Sequence, residues 1–222
     1  MYAYPKKAAF GKSLPKKAIY EHGRPTRRVQ QLFVDQIARI VWQYKLSPET
    51  TNLAAKPEVP EIQVFAITLK DGKLDETVLR CIDKAINFPI FFELTFEERV
   101  KEVAAYKRQN EADKSKWIVG DYFELEWSEL SADRESLPVA LDLARLYEQM
   151  LRRLMPIPAR RSESLKDHTD RVGEIRNREK FCHKLESRLA KEKQFNRKVE
   201  INGELRKVRS KLENLVAEGY KK

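Results

Sequence analysis

Cysteine and histidine are scarce in this chain of 222 residues: Cys81 and Cys182, and His22, His168 and His183. No histidine stands at a metal-ligand spacing from another His or Cys, and the adjacent Cys182 and His183 diverge on a helix, so no metal site is expected. No Ser-His-Asp or Cys-His set supports nucleophilic hydrolysis. Both cysteines fall within helical patterns and read as buried thiols. Long apolar runs are also missing. No stretch approaches the roughly 18 residues of a membrane span, and nothing apolar follows Lys6-Lys7 to make a signal peptide. The expected setting is a reducing cytoplasm, with no membrane contact. Glycine is sparse, with seven in all. Gly11-Lys12-Ser13 resembles the end of a phosphate-binding loop, but the required first glycine would fall at Lys6 and no strand precedes it, so nucleotide binding there is rejected. No cofactor is expected.

Charge is abundant. The chain is 35% charged and 41% hydrophobic, with a formal net charge of +10. A cored part joined to a largely solvated helical part accounts for both fractions. Residues 1–30 carry eight Lys/Arg against one Glu, net +7; residues 31–158 carry 17 against 22, net −5; residues 159–222 carry 19 against 11, net +8. Two basic ends flank an acidic middle. A polyanion, if one is bound, belongs at the ends, although charged helices and tails are also commonly just solvated.

Residues 1–23 are broken by Pro5, Gly11, Pro15 and Gly23 and are expected to be an irregular basic segment. Val29, Phe33, Ile37, Ile40 and Tyr44 then recur at helical spacing, predicting a helix from an N-cap at Thr26 to about Leu46, before Ser47-Pro48. The connection 47–60 includes a polar stretch, Lys45–Asn52, that could hold an anion or cap the next turn. Glu61–Leu69 is apolar on both faces, as a central strand should be. After the Asp71-Gly72 turn, Asp75 caps a short helix carrying Val78, Leu79, Ile82 and Ile86. Strands are expected at Ile90–Phe96, Val100–Lys107 and Trp117–Trp127, the first two turning at Glu97-Glu98. A helix follows Pro138, with Val139, Leu143, Leu146, Met150 and Leu154 on one face. The expected fold is α/β (α+β) over residues 24–155: a mostly antiparallel sheet of about four strands with packed helices.

Met155-Pro156-Ile157-Pro158 marks a boundary, and a charged helical, coiled-coil-like arm is expected over 159–222. Ile201, Leu205, Val208, Leu212 and Leu215 follow heptad spacing, and Cys182, Leu185 and Leu189 make a shorter seam. Carrying the register of one seam into the other puts Glu192 and Asn196 on the apolar line, so the register breaks there, and Asn202-Gly203 supports a turn or helix restart nearby. The arm is therefore either a hairpin folded on itself or two segments docking on a partner, since short isolated helices are marginal in water.

Three functional readings follow. The first is DNA-backbone contact by Lys16, Lys17, Arg27, Arg28, Arg188, Lys191, Arg197 and Lys198, with protein docking through Leu185, Leu189, Leu205, Val208, Leu212 and Leu215. The second is a divalent-metal nuclease using Glu61, Glu93 and Glu102, although no carboxylate-x-Lys pair accompanies them on the strands. The third is a homodimer joined through the arms. Trp117, Tyr122 and Trp127 suit base stacking, although aromatics in alternating strands are more often core or interface.

Leu14-Pro15-Lys16-Lys17-Ala18-Ile19-Tyr20, Lys45–Asn52, Glu61–Phe65 and Lys193-Gln194-Phe195-Asn196-Arg197-Lys198-Val199-Glu200-Ile201-Asn202 resemble segments of a bacterial domain-of-unknown-function family. Its members are often encoded beside helicases and DNA methyltransferases in phage-defence and restriction loci. The resemblance implies an accessory subunit partnered by a helicase, methyltransferase or nuclease, and it carries over no catalytic residue.

Overall fold

The computed structural model describes residues 1–114 and 116–217. Residues 1–23, expected to be irregular, form strand β1 (Tyr2–Ala3), a 3-10 turn (Lys6–Ala8), strand β2 (Ala9–Ser13) and helix α1 (Lys16–Gly23). The helix breakers lie at the junctions of these elements. Pro5 precedes the 3-10 turn and Pro15 precedes α1. Gly11 takes φ +64 where β2 bulges between Ala9 and Lys12, a conformation that suits glycine.

Thr26 caps helix α2 (Arg27–Gln36) by accepting the Val29 N–H at 3.4 Å. The helix does not run on to Leu46. Ile37–Leu46 is strand β3, rich in β-branched and aromatic residues. The helical spacing of its apolar residues has a structural cause. The pairing of β3 with the next strand shifts between Ile37 and Arg39 and again between Trp42 and Tyr44. A bulge adds one residue to one face, so Ile37 and Ile40, three apart, are buried together.

Short helix α3 (Pro48–Thr51) follows, with a capping box between Ser47 and Thr50. The polar stretch therefore caps a turn. Then come β4 (Ile62–Leu69), α4 (Glu76–Ala85, capped by Asp75), β5 (Ile90–Phe96), β6 (Arg99–Gln109), β7 (Trp117–Glu124), two-residue strands β8 (Ser128–Glu129) and β9 (Glu135–Ser136), and α5 (Leu143–Arg153). Among the described residues the main sheet has seven strands rather than about four. Its order is β2-β3-β4-β5-β6-β7, with β8 beside β6. All pairs are antiparallel except β4 and β5, which are parallel and joined through α4. The extra strands are β2, β3 and β8, two of them too short or too interrupted to show a period-2 pattern.

One face of the sheet packs Ile37, Phe65, Phe92 and Val103 with Ile19 of α1, Phe33 of α2, and Val78 and Ile82 of α4. Gly23 lies against α4. A Cβ there would meet the Cys81 carbonyl oxygen and Sγ at 2.8 Å, so only glycine permits this approach. On the opposite face, α5 sets the Tyr147 ring edge-on to Phe91 with centroids 6.0 Å apart. Val139, expected on the buried face of this helix, is 94% exposed. Asp142 starts α5 later, accepting the Arg145 N–H at 2.9 Å, and leaves Val139 outside it.

The chain divides into two compact units, Met1–Leu154 and Met155–Lys222. In the second, α6 (Leu165–Lys191) and α7 (Phe195–Ala217) form a hairpin sealed by Cys182, Leu185, Ile201 and Leu205. Of the two arrangements open to the arm, the self-folded one is present. The chain reverses at Glu192-Lys193-Gln194, not at Asn202-Gly203, which lies inside α7. The Glu192 carboxylate accepts the N–H groups of Lys193 and Gln194 at 2.8 and 2.9 Å, so it satisfies the backbone at the reversal. At the other end of α6, Arg171 holds Glu163 with two hydrogen bonds of 2.7 and 2.8 Å and donates to the Pro158 carbonyl. These bonds, with burial opposing, hold the Glu163 carboxyl at about 2.

The pairing of β6 with β7 shifts between Ala105 and Lys107. There the Tyr147 hydroxyl accepts the Lys107 N–H at 2.8 Å and donates to the Ala105 carbonyl at 3.0 Å. Tyr147→Phe leaves both backbone groups buried without that partner. It is expected to lower stability by about 1–3 kcal/mol in urea denaturation; an unchanged midpoint would show that the bulge does not depend on this hydroxyl.

Candidate functional site

Alternation along β5 and β6 sends Phe92 and Val103 to the α4 side and Glu93 and Glu102 to the other. Glu93 and Glu102 are direct cross-strand partners, and both are buried. Two like charges so placed require compensation. Arg134 clamps Glu93 in a bidentate pair at 2.8 and 3.0 Å. From the last turn of α5, Arg153 reaches Glu102 at 3.3 Å and Glu135 at 3.1 Å. The N-terminal strand closes over the cluster. β1 pairs in parallel with β9, the Tyr2 carbonyl accepts from Arg134 at 2.9 Å, and the Tyr2 ring lies 4.7 Å from the Arg153 guanidinium.

Two polar atoms in this cluster have no hydrogen-bond partner among the described residues: Glu102 Oε1 and the Tyr4 hydroxyl. Burial, outweighing the attraction of Arg153 and reinforced by the charge of Glu93, raises the Glu102 carboxyl to about 7. Burial and the neighbouring Glu102 and Glu93 carboxylates likewise push the Tyr4 hydroxyl well up.

Glu61, the third residue of the expected nuclease set, does not join this pair. In the β4–β5 register Ala66 faces Glu93, so Glu61 precedes that row by five positions, roughly 16 Å along an extended strand. It pairs with Lys45 at 3.0 Å and accepts from the Gln63 amide. Among the described residues, no group of three or more His, Cys, Asp or Glu side chains is placed to hold a metal ion.

A second buried network lies on the α4 face. Lys107 Nζ donates to the Asp83 carboxylate at 3.2 Å and to the carbonyls of Asp83 and Ile86, while the Tyr122 hydroxyl donates to the other Asp83 oxygen. Burial lowers Lys107 and raises Asp83, each partly restored by the other's charge. Sequence reasoning passed over Lys107, Asp83, Tyr2, Tyr4, Arg134 and Arg153. Lys107 had a signal: it continues the alternation Val103, Ala105 onto the apolar face, where a lysine must find a buried partner. A separate groove of about 470 Å³ between α1 and the sheet is walled by Trp42, Phe65 and Phe88. Its one buried amide, Gln63, is already bound to Glu61.

The basic surface is organised differently. Lys17, Arg27 and Arg28 stand exposed on α1 and α2. Lys16 is partly buried, with Nζ donating to the Ile37 carbonyl at 2.8 Å; burial and then the charge of Lys70 lower its pKa. Arg188 and Lys191 end α6, and Arg197 and Lys198 lie in the first turn of α7, so the hairpin brings these four exposed cations to one tip. Leu185 and Leu205 are buried in the hairpin's own seam; Leu189 and Val208 pack beside it, and Leu212 and Leu215 are half-buried further along α7. No described helix is long and apolar enough to cross a membrane.

A family model described as a domain of unknown function (DUF4391) matches residues 3–212, and the chain belongs to that family. No curated protein and no solved structure matches the chain.

The raised Glu102 carboxyl fixes a sign for pH dependence. Its folded value of about 7 lies above its ordinary 4.5, so the folded state holds a proton that the unfolded chain releases between those values. Stability therefore falls as pH rises from about 4.5 to 7 and then levels, by a total of about 3 kcal/mol from this group. Glu102→Gln should remove that component, making the variant gain on the wild type between pH 5 and pH 8 in chemical denaturation. A difference that stays constant with pH would show that Glu102 does not titrate there.

Proposed function

We propose that this protein is a non-catalytic accessory subunit of a bacterial anti-phage, restriction-like system. In this reading it docks a DNA-handling enzyme and holds DNA by its backbone without reading sequence. The observation that carries the DNA-binding part is the division of cations between paired and unpaired. Within residues 31–158 most basic side chains sit in ion pairs, including Lys45, Arg80, Lys101, Lys107, Arg134, Arg152 and Arg153. In contrast, Lys17, Arg27 and Arg28, and Arg188, Lys191, Arg197 and Lys198 at the tip, are exposed and lie in no such pair among the described residues. Exposed unpaired cations are what counterion release from a polyanion requires.

The tip adds an energetic argument. Cations near a helix N-terminus oppose the macrodipole by a few tenths of a kcal/mol, yet Arg197 and Lys198 open α7, whose first turn has no acidic residue. A local cost of this kind is consistent with selection for function. The non-catalytic part is supported by the carboxylates, since Glu93 and Glu102 are enclosed and held by arginines while Glu61 stands apart. The enzyme-docking part follows the setting implied by the family resemblance, beside helicases and methyltransferases.

Binding of a fluorescent duplex across a salt series tests this reading. The full chain should bind with log Kd linear in log salt. Replacing Arg188, Lys191, Arg197 and Lys198 by Gln should flatten the slope by up to about 0.9 per lost contact, as should Lys17, Arg27 and Arg28 replaced together. Absence of binding at low salt, or a slope unmoved by both sets, would reject the DNA role. Magnesium-dependent plasmid nicking abolished by Glu61→Ala would reject the non-catalytic one.

A further inference from the structure

The hairpin tip carries more than charge. Phe195, the first residue of α7, is 78% exposed, and Val199, one turn on, is 54% exposed. At a spacing of four they share a helix face and make one apolar ridge. The seam between α6 and α7 does not need them, because Cys182, Leu185, Ile201 and Leu205 already close it. Leaving a phenylalanine in water at a tight reversal has no structural return within the hairpin. The same tip carries Arg188, Lys191, Lys193, Arg197 and Lys198, all exposed; Lys198, three residues from Phe195, shares the ridge's side of α7, whereas Arg197, two residues from it, lies on another. Two acidic residues lie nearby. Glu192 has its carboxylate turned onto the backbone N–H groups of Lys193 and Gln194, and Glu200 is exposed on α7.

We infer that this tip binds single-stranded or locally unpaired nucleic acid, with the Phe195 ring stacking on an unstacked base and the flanking lysines and arginines neutralising its phosphates. Charge selects an anionic occupant. An exposed aromatic ring on a tip that also carries exposed cations matches a polymer that alternates phosphates with flat bases, and such stacking tolerates any sequence. Duplex DNA keeps its bases stacked, so its interior offers the ring no face unless a step is opened, and Val199 beside Phe195 gives the ridge the apolar body of a wedge for that. The inference rests on the DNA-backbone reading above and narrows it to a substrate with exposed bases.

The test uses the full chain and two fluorescent probes of equal length, an oligothymidylate and an abasic oligonucleotide that keeps the phosphates but lacks bases. The wild type should prefer the oligothymidylate. Phe195→Ala should weaken that complex by at least about fivefold, with an unchanged salt slope and unchanged affinity for the abasic probe. Phe195→Trp should retain the preference. Because the side chain is exposed, neither variant is expected to disturb folding, and circular dichroism checks this. Equal loss on both probes, or no loss on the oligothymidylate, overturns the stacking role and leaves the ridge to a protein partner. If the wild type binds both probes alike, and Arg197→Gln with Lys198→Gln weakens both, the backbone reading stands and this inference falls. If the wild type binds neither probe nor duplex, both readings fall.

Discussion

The Lys107 ammonium is enclosed beneath the crossover helix α4, and the arrangement of the first unit depends on how that charge is met. Nζ serves the Asp83 carboxylate and two carbonyls at the end of α4, where a helix otherwise leaves acceptors unsatisfied. Asp83 is itself completed by Tyr122 from β7. One buried pair thus ties α4 to the strands β6 and β7, while α4 carries the chain between the parallel strands β4 and β5. Removing one partner of such a pair typically costs about 3–5 kcal/mol, because the other charge is left uncompensated in the interior. Opposite the extra residue that β7 carries between Val119 and Tyr122, the β6 backbone beside Lys107 is held from the other face by Tyr147 of α5, so both faces of the sheet meet at this point.

The opposite face repeats the logic with the signs exchanged. Glu93 and Glu102 are forced side by side by strand register, and the chain answers with Arg134, Arg153 and an N-terminal strand laid across them. The acidic middle of the sequence is thereby partly absorbed into the fold. The exposed cations of the basic ends, Lys17, Arg27, Arg28, Arg188, Lys191, Arg197 and Lys198, are not absorbed in this way. That asymmetry is the observation on which the proposed binding role rests.

Legibility of the fold varied with the physical signal. The central strand over 62–69 was readable because it is apolar on both faces, the start of α4 because the Asp75 side chain caps it, and the α5 face through Leu143, Leu146 and Met150 because burial there follows one helical period. The segment 37–46 was not readable, because two bulges converted strand periodicity into apparent helical spacing. Residues 1–23 hid two strands and a helix, since Pro5, Gly11, Pro15 and Gly23 occupy junctions and a bulge that a local rule reads as irregular. The break in the seam at Glu192 and Asn196 was readable and coincides with the reversal, but the glycine signal at Asn202-Gly203 falls inside α7, and Glu192 supplies the turn by side-chain acceptance of backbone N–H groups. Of the candidate site, the cations of the tip are legible in the sequence, but the exposure of Phe195 is not, because exposure of a single phenylalanine depends on what the partner helix covers.

By itself the sequence determined the fold class, the split between a cored unit and a charged helical one, and the placement of positive charge at both ends. These properties reside in composition and local periodicity, which survive without knowledge of contacts. Tertiary structure alone decided which cations remained unpaired, which carboxylates were buried opposite one another, and which apolar residues of the arm were sealed in its seam or left at its tip. Each of those depends on strand register and on the position of a chain reversal, and a shift of one residue in either exchanges the buried set for the exposed one.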